Sequence, residues 1–392
     1  MKIAQIISTP PFAWATGGCA RVAFELSKEL AMRGHEITII TTDLYKPNIR
    51  YISYSDPEII DGIEIKRFRY VSDYLAWHKK LYISVPLIKY LKNNLINYDI
   101  VHLHDLISLQ AYYTSKYCEI YNIPYVLSTH GSVNWLCEKR FPNTFYKKYI
   151  GINILNYSKI ITTLNAQEAK MCESLGIDKK KIEVLSNPIN LTYYSNLPDR
   201  NSFKCKYNIN DKFKLVLYVG RVEKSKGLEL LLSAFSDVIK EIVNSILVIV
   251  GPDDGYLPNL IRIVKMLKLE QNVIITGYID EDEKLAAYLS ADVHVSPRLW
   301  EPFGITLIES CACGTPVICS KGCGIADIIE SGAGFTFSTK EDLKTHLINI
   351  LSSDENLIKK IRTDCKKIIF THFNSSKIAD KLENIYERVN TK

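Results

Sequence analysis

Two glutamates eight positions apart, Glu301 and Glu309, enclose the run E-P-F-G-I-T-L-I-E. A carboxylate accepts hydrogen bonds from hydroxyl groups, and the spacing of a pair decides which hydroxyls both can reach. The strand-like stretch 293–296 stops at Pro297, and Pro302 and Gly304 break the chain before the apolar run 305–312 begins a helix. Glu301 then stands at the helix mouth and Glu309 inside the helix. At about 1.5 Å rise per residue their backbones lie roughly 12 Å apart. That is too far for a shared metal, or for the carboxylate pair roughly 5 to 9.5 Å apart that cleaves glycosidic bonds. It suits one carboxylate on a sugar and the other on a ribose. Taken alone, a helix with one surface and one half-buried Glu would read the same way.

Arg221 and Lys226 follow another strand-like run, 215–219, in G-R-V-E-K-S-K-G. At a strand end these cations can neutralise a leaving diphosphate without a divalent ion, Arg as a bidentate fork and Lys as a point charge. The bland alternative is a solvated charge cluster. His130, in S-T-H-G-S, closes the run 125–128 and could donate to a sugar hydroxyl or steady charge near an anomeric carbon. A half-buried structural histidine is the competing reading. His102, His104 and Asp105 in V-H-L-H-D-L are weaker candidates for the acceptor side. Gly17 and Gly18 precede a helical pattern and would let backbone amides approach a phosphate. That loop lacks the full G-x-G-x-x-G, and no G-K-[ST] occurs, so dehydrogenase and P-loop readings lose support. Asp253 and Asp254, between Pro and Gly, describe a turn.

The elements that must position these residues alternate strand and helix. Runs 3–8, 37–41, 100–103, 125–128 and 160–163 read as parallel strands of βαβ units. A turn-rich segment from about Asn187 to Asp211 reads as a linker. The strand theme then resumes at 215–219, 246–250, 273–276, 293–296 and 317–320. The 392 residues therefore divide into two Rossmann-like α/β domains. Ligands are expected at the carboxyl ends of the strands, in a cleft that the two domains face. Apolar positions at helical spacing over 375–389 predict a terminal helix.

Together, Gly17-Gly18, G-R-V-E-K-S-K-G and E-P-F-G-I-T-L-I-E-S-C-A-C-G-T-P-V resemble the family 4 retaining glycosyltransferases of the GT-B fold, and the likeness runs over nearly the whole chain. The resemblance implies an N-terminal acceptor domain, 1–188, joined by a crossover helix at about 372–392, and a donor domain, 189–371. It implies that Glu301 bonds sugar hydroxyls, that Glu309 holds the ribose, and that amides around Phe303, Gly304 and Ile305 face sugar and diphosphate. Arg221 and Lys226 would bind the diphosphate, with Gly18 approaching it, and His130 would lie near the donor sugar. Thr276–Asp280, including Gly277, Tyr278 and Ile279, matches the segment that cradles the base. The activity implied is retaining transfer of a hexose-type sugar from a nucleoside diphosphate sugar to a glycan or lipid-linked acceptor in envelope biosynthesis, with no metal or other cofactor. Arg298 stands where a small hydroxyl residue is common and Ala326-Asp327 where Pro-Glu is frequent; Arg298 bears on which sugar is used. A catalytically idle nucleotide-sugar-binding scaffold and a GT-B sugar-nucleotide epimerase are the competing functions.

The net charge of +6 lies wholly in residues 1–190, where 23 Lys and Arg meet 17 Asp and Glu. Lys66, Arg67, Arg69, Lys79, Lys80, Lys89 and Lys92 interleave with aromatic residues, as do Lys139, Arg140, Lys147 and Lys148. Such segments favour an anionic membrane surface or a lipid-diphosphate acceptor. No nucleic-acid-binding motif accompanies them. The start of the chain does not read as an export signal, and no apolar run is long enough to span a bilayer. Scattered cysteines fit a reduced cytoplasm, and the gaps among Cys311, Cys313, Cys319 and Cys323 do not match zinc spacing. The expected location is cytoplasmic, with peripheral attachment to the inner face of the membrane.

Overall fold

The computed structural model describes residues 1–11, 18–46, 49–53, 57–79, 81–138 and 143–391. Gly17 lies outside the described residues, as do Lys80, Lys139 and Arg140 of the basic segments. The chain separates into two units, Met1–Pro188 with Ser375–Lys392, and Ile189–Asn374.

Unit 1 holds β1 (Lys2–Ile6), β2 (Glu36–Thr42), β3 (Leu44–Lys46), β4 (Ile49–Arg50), β5 (Glu58–Ile60), β6 (Ile63–Phe68), β7 (Ile100–His104), β8 (Tyr125–Ser128), β9 (Ile160–Thr163) and β10 (Ile182–Val184). β3 and β4 form a small separate ribbon, and the rest make one sheet ordered β10-β9-β8-β7-β1-β2-β6-β5. Its neighbours are parallel except β5, which runs antiparallel to β6 at the edge. Helices cover both faces, so the central strands read as continuous apolar or Thr-rich runs; every residue of β2 after Glu36 is buried. The winding reverses between β1 and β7.

The helix Ser375–Asn390 belongs to this unit. Ile378, Ala379, Leu382, Ile385 and Tyr386 form its buried stripe at helical spacing. Arg33 Nη1 meets Asp380 at 2.6 Å and Glu383 at 2.8 Å, and Ser375 donates to Glu29 at 2.6 Å, which fixes the helix against Cys19–Met32.

Not all of the basic segment at 66–92 is free surface. Alternation in β6 turns Arg67 inward, where its side chain is 6% exposed, donates to Glu58 Oε2 at 2.7 Å and lies over the Tyr51 ring. Lys66 is paired with Glu64 at 2.6 Å.

Unit 2 holds β11 (Lys214–Val219), β12 (Ser245–Val250), β13 (Val273–Gly277), β14 (Val293–Ser296), β15 (Val317–Ser320) and β16 (Gly334–Phe337), in the order β13-β12-β11-β14-β15-β16 and parallel throughout. This is the doubly wound dinucleotide order, with its reversal between β11 and β14. The segment expected as a linker is built into this unit. Its helix Ser202–Lys206 buries Phe203, which packs with Ile209 against Leu215 and Leu217. Turn-forming residues hide this anchor because its apolar side chains are scattered singly among them rather than gathered in a run.

Candidate functional site

In unit 2 the loops that follow β11 and β14 leave adjacent strands at the reversal, where side chains from both can converge. They do. Lys226 Nζ donates to Glu301 Oε2 at 3.2 Å, and Arg298 Nη1 reaches the same oxygen at 3.3 Å. Gly227 makes this approach possible. Its φ is +75°, and a Cβ there would stand 2.4 Å from the Pro297 carbonyl oxygen, so no other residue lets the two loops lie this close. The Glu301 carbonyl accepts from Gly324 N at 2.8 Å, which ties the same loop to the turn after β15.

The helix Ile305–Ala312 begins at Gly304, where φ is +81° and no side chain caps the end. The Leu307 amide turns back to the Gly304 carbonyl at 3.0 Å, and the amides before it have no side-chain cap, at the end of the helix that favours an anion. The helix Leu228–Glu241, starting from Gly227, is likewise without a side-chain cap. By contrast, Asp280 caps Glu281–Ser290 and Thr339 forms a capping box on Lys340–Leu351.

Arg221 is on the same loop as Lys226 but is engaged elsewhere. It pairs with Asp254 through Nη1 and with Glu223 through Nη2 at 3.1 Å. The Asp253-Asp254 turn therefore has two parts: Asp254 holds Arg221, while Asp253 Oδ1 accepts from the amides of Gly255, Tyr256 and Leu257 at 2.9 to 3.0 Å.

Glu309 faces inward, its side chain 4% exposed. The Tyr288 hydroxyl donates to Oε2 at 2.9 Å and Lys284 Nζ to Oε1 at 3.3 Å. Burial and the neighbouring carboxylate push the Tyr288 phenol well up, which keeps it a donor. Sequence reading missed Lys284 and Tyr288; the available signal was their i, i+4 spacing, which puts both on one helix face. The 276–280 segment divides by side chain. Gly277 has φ +74° and bonds Gly251 N through its carbonyl, Tyr278 points outward at 71% exposure, and Ile279 packs into the core. Phe303 is also core, edge-on to Phe373 with centroids 5.6 Å apart, so only its backbone remains for a ligand.

In unit 1 the reversal between β1 and β7 gathers a different chemistry. Gly18 is exposed at the start of Cys19–Met32, again with no side-chain cap. His130, at the end of β8, has φ +47°, and its loop is held by Glu168, which accepts from Gly131 N at 2.8 Å and Leu164 N at 2.9 Å. Sequence reading missed Glu168 because it is far along the chain. His130 Nε2 lies 2.9 Å from His104 Nδ1, and His102 stacks on His104 with ring centroids 4.1 Å apart. Burial keeps all three neutral: it brings His130 down to about 4 and His102 to about 3, and lowers His104 well below the ordinary value. Asp105, next to them, is raised by burial.

Two doubly wound α/β units, each with ligand-type groups at its reversal, define the GT-B architecture of sugar transferases. The chain matches the model described as Glycosyltransferase Family 4 over residues 16–193 and that described as Glycosyl transferases group 1 over residues 199–368. Together they span nearly the whole chain, which belongs to this glycosyltransferase family.

An uncharacterized glycosyltransferase of Methanocaldococcus jannaschii is 27% identical over 99% of this chain and 98% of its own length. N-acetyl-alpha-D-glucosaminyl L-malate synthase of Bacillus anthracis is 27% identical over 95% of this chain and 94% of its own. Among solved structures, Anabaena HepE in complex with UDP and glucose is 16% identical, covers 99% of this chain and 100% of its own, and has a TM-score of 0.78. Sucrose-phosphate synthase from Thermosynechococcus elongatus, 20% identical, covers 99% and 98% with a TM-score of 0.79.

Proposed function

We propose that the protein transfers a hexose-type sugar from a nucleoside diphosphate sugar to a glycan or lipid-linked acceptor, with retention at the anomeric carbon and without a metal. The observation that carries this reading is the Lys226–Glu301 contact beside the uncapped helix end at Gly304. It joins a cation, an anion-favouring helix end and a hydroxyl-accepting carboxylate at one strand reversal.

Lys226 and the amides after Gly304 take up charge on the departing diphosphate, and Arg221 adds its field from the pair with Asp254. Glu301 orders sugar hydroxyls and Glu309 the ribose. His130 and Gly18 are the groups proposed to face substrate in unit 1. The bond from the anomeric carbon to the diphosphate oxygen breaks as the acceptor oxygen bonds the same face, and the acceptor proton passes to the leaving phosphate oxygen. HepE in complex with UDP and glucose supports a nucleotide-sugar donor, and the B. anthracis relative, named for a malate product, puts small hydroxy acids in the acceptor screen.

A thermal-shift and turnover screen of UDP-, GDP- and ADP-sugars in EDTA, on the wild type and on Glu309→Ala, tests this. One donor is expected to stabilise the wild type selectively and the variant less. Stabilisation by none of them, or only with added divalent ion, would overturn the reading.

Peripheral attachment to an anionic membrane rests on a smaller surface than the sequence suggested. Tyr74, Leu81, Phe145 and Tyr149 are exposed, and Lys148 lies against Tyr149, but among the basic residues Arg67 is buried. No helix of the described residues is long and apolar enough to cross a membrane. Flotation with anionic vesicles at low salt should recover the protein; failure to do so removes this part of the proposal.

A further inference from the structure

A chain of hydrogen bonds runs through the reversal of unit 1. His130 Nε2 is 2.9 Å from His104 Nδ1, and His104 Nε2 is 2.7 Å from Gln5 Oε1. Gln5 Nε2 donates to the Tyr386 hydroxyl at 3.2 Å, and that hydroxyl is 2.5 Å from His102 Nδ1. His102 Nε2 is 2.7 Å from Ser128 Oγ, which is 2.6 Å from Thr162 Oγ1. Gln5 is on β1, the histidines on or after β7 and β8, Thr162 on β9 and Tyr386 on the terminal helix, so five elements meet in one line.

Gln5 sets the direction, because its donor and acceptor are different atoms. Its oxygen requires the proton of His104 to be on Nε2. A neutral imidazole carries one N–H, so His104 Nδ1 is an acceptor and receives a hydrogen bond from His130 Nε2–H. His130 Nδ1 is then a bare lone pair. On the other side the Gln5 amide fills an acceptor site of Tyr386, whose own proton goes to His102 Nδ1. That leaves the His102 proton on Nε2, facing Ser128. All six links are satisfied in one direction, and burial keeps the rings neutral. At the end of the line His130 Nδ1 is buried and outside hydrogen-bond geometry, and the Asn187 side chain, close enough to raise the ring's pKa as a hydrogen-bonding neighbour, is the group nearest to supply its partner in the absence of substrate. Turning the Gln5 amide over would reverse every link and make Nδ1 a donor.

We infer that Gln5 and Tyr386 are positioning residues that act through His104 to hold His130 as its Nε2–H tautomer, so that Nδ1 accepts a hydrogen bond from a substrate hydroxyl. His130 is thereby an acceptor, not the donor its place at a strand end suggests. The substrate hydroxyl rests on the proposed function; the tautomer does not. The terminal helix gains a role beyond packing, since it carries the phenol that closes the line.

Histidine-specific 15N NMR of the full-length protein reads the tautomer directly. At pH 7, His104 and His130 are both expected as neutral Nε2–H rings. Tyr386→Phe leaves the Gln5 amide and His102 Nδ1 without partners, so His130 should show mixed tautomers and kcat should fall about tenfold, the worth of one hydrogen bond, with donor KM unchanged. A wild-type His130 protonated at Nδ1 overturns the inference, as does a Tyr386→Phe variant with unchanged tautomer and kcat. Nε2–H tautomers in a protein that transfers no sugar would uphold the positioning and sink the transferase reading alone.

Discussion

Lowering the pH from 7 to 5.5 should destabilise unit 1 by about 4 kcal/mol. The cause is the trio His102, His104 and His130, each neutral in the fold because burial lowers its pKa, to about 3 for His102 and about 4 for His130. In the unfolded chain each titrates near the ordinary value of about 6.5. Between those limits the unfolded chain binds protons that the folded chain refuses. The stability is therefore complete above about pH 6.5 and is lost as pH falls toward the folded values. Over this interval one such histidine is worth about 1.3 kcal/mol, and three give the figure above, against a typical total of about 5–15 kcal/mol. His130 keeps some exposed surface, so the figure is an upper bound. Asp105 and Glu168, raised by burial, act in the opposite sense nearer the carboxylate range, which is why the window stops at 5.5. Hydrogen exchange of the β7 and β8 amides across this range measures the effect. His104→Gln should cut the slope by about a third, the share of one proton in three. A stability that is flat between pH 7 and 5.5 would refute the enforced neutrality.

Lys226→Ala should lower kcat by about 10²–10³, the effect of losing one charge-stabilising donor in a preorganised site, with little change in melting temperature; steady-state kinetics with the best donor decides it, and a change confined to KM would argue against leaving-group stabilisation. Gly227→Ala should cost at least about 1–3 kcal/mol, because the residue is at φ +75° and its Cβ would press on the Pro297 carbonyl at 2.4 Å; urea unfolding of unit 2 reads this, and an unchanged midpoint would mean that the two loops separate freely.

Much of this organisation is legible in the sequence, and the reasons differ by element. The helix 305–312 matches because Pro302 and Gly304 mark its start and an unbroken apolar run follows. The central strands are legible because a parallel sheet covered on both faces needs continuous apolar runs. Contacts set by distant residues are not legible. Glu168 steadies the His130 loop from 37 positions away, and Tyr386 reaches Gln5 across 381. Arg67 reads as surface charge because its neighbours are basic; only the pairing of β6 with β5, which sets Glu58 opposite Ile65, brings that carboxylate within reach of Arg67 two residues along the strand.

The two reversals carry unlike chemistry, and the difference fits the sugar transfer proposed above. In unit 2 the groups are charged and partly exposed, with Lys226 and Arg298 converging on one oxygen of Glu301. In the proposed transfer, a cation held in place by a carboxylate would need no reorganisation when a diphosphate arrives, and the same contact would orient the carboxylate for hydroxyls. Arg298, in a position where a small hydroxyl residue would leave Lys226 as the one cation on Glu301, gives that carboxylate a second anchor. In unit 1 the groups are buried and neutral. A protonated imidazole would oppose the positive charge that builds on an anomeric carbon, whereas a neutral ring presenting a lone pair to a hydroxyl adds no such penalty. Burial of the three histidines is expected to destabilise the fold as pH falls, and in the proposed transfer the same burial would keep the acceptor uncharged.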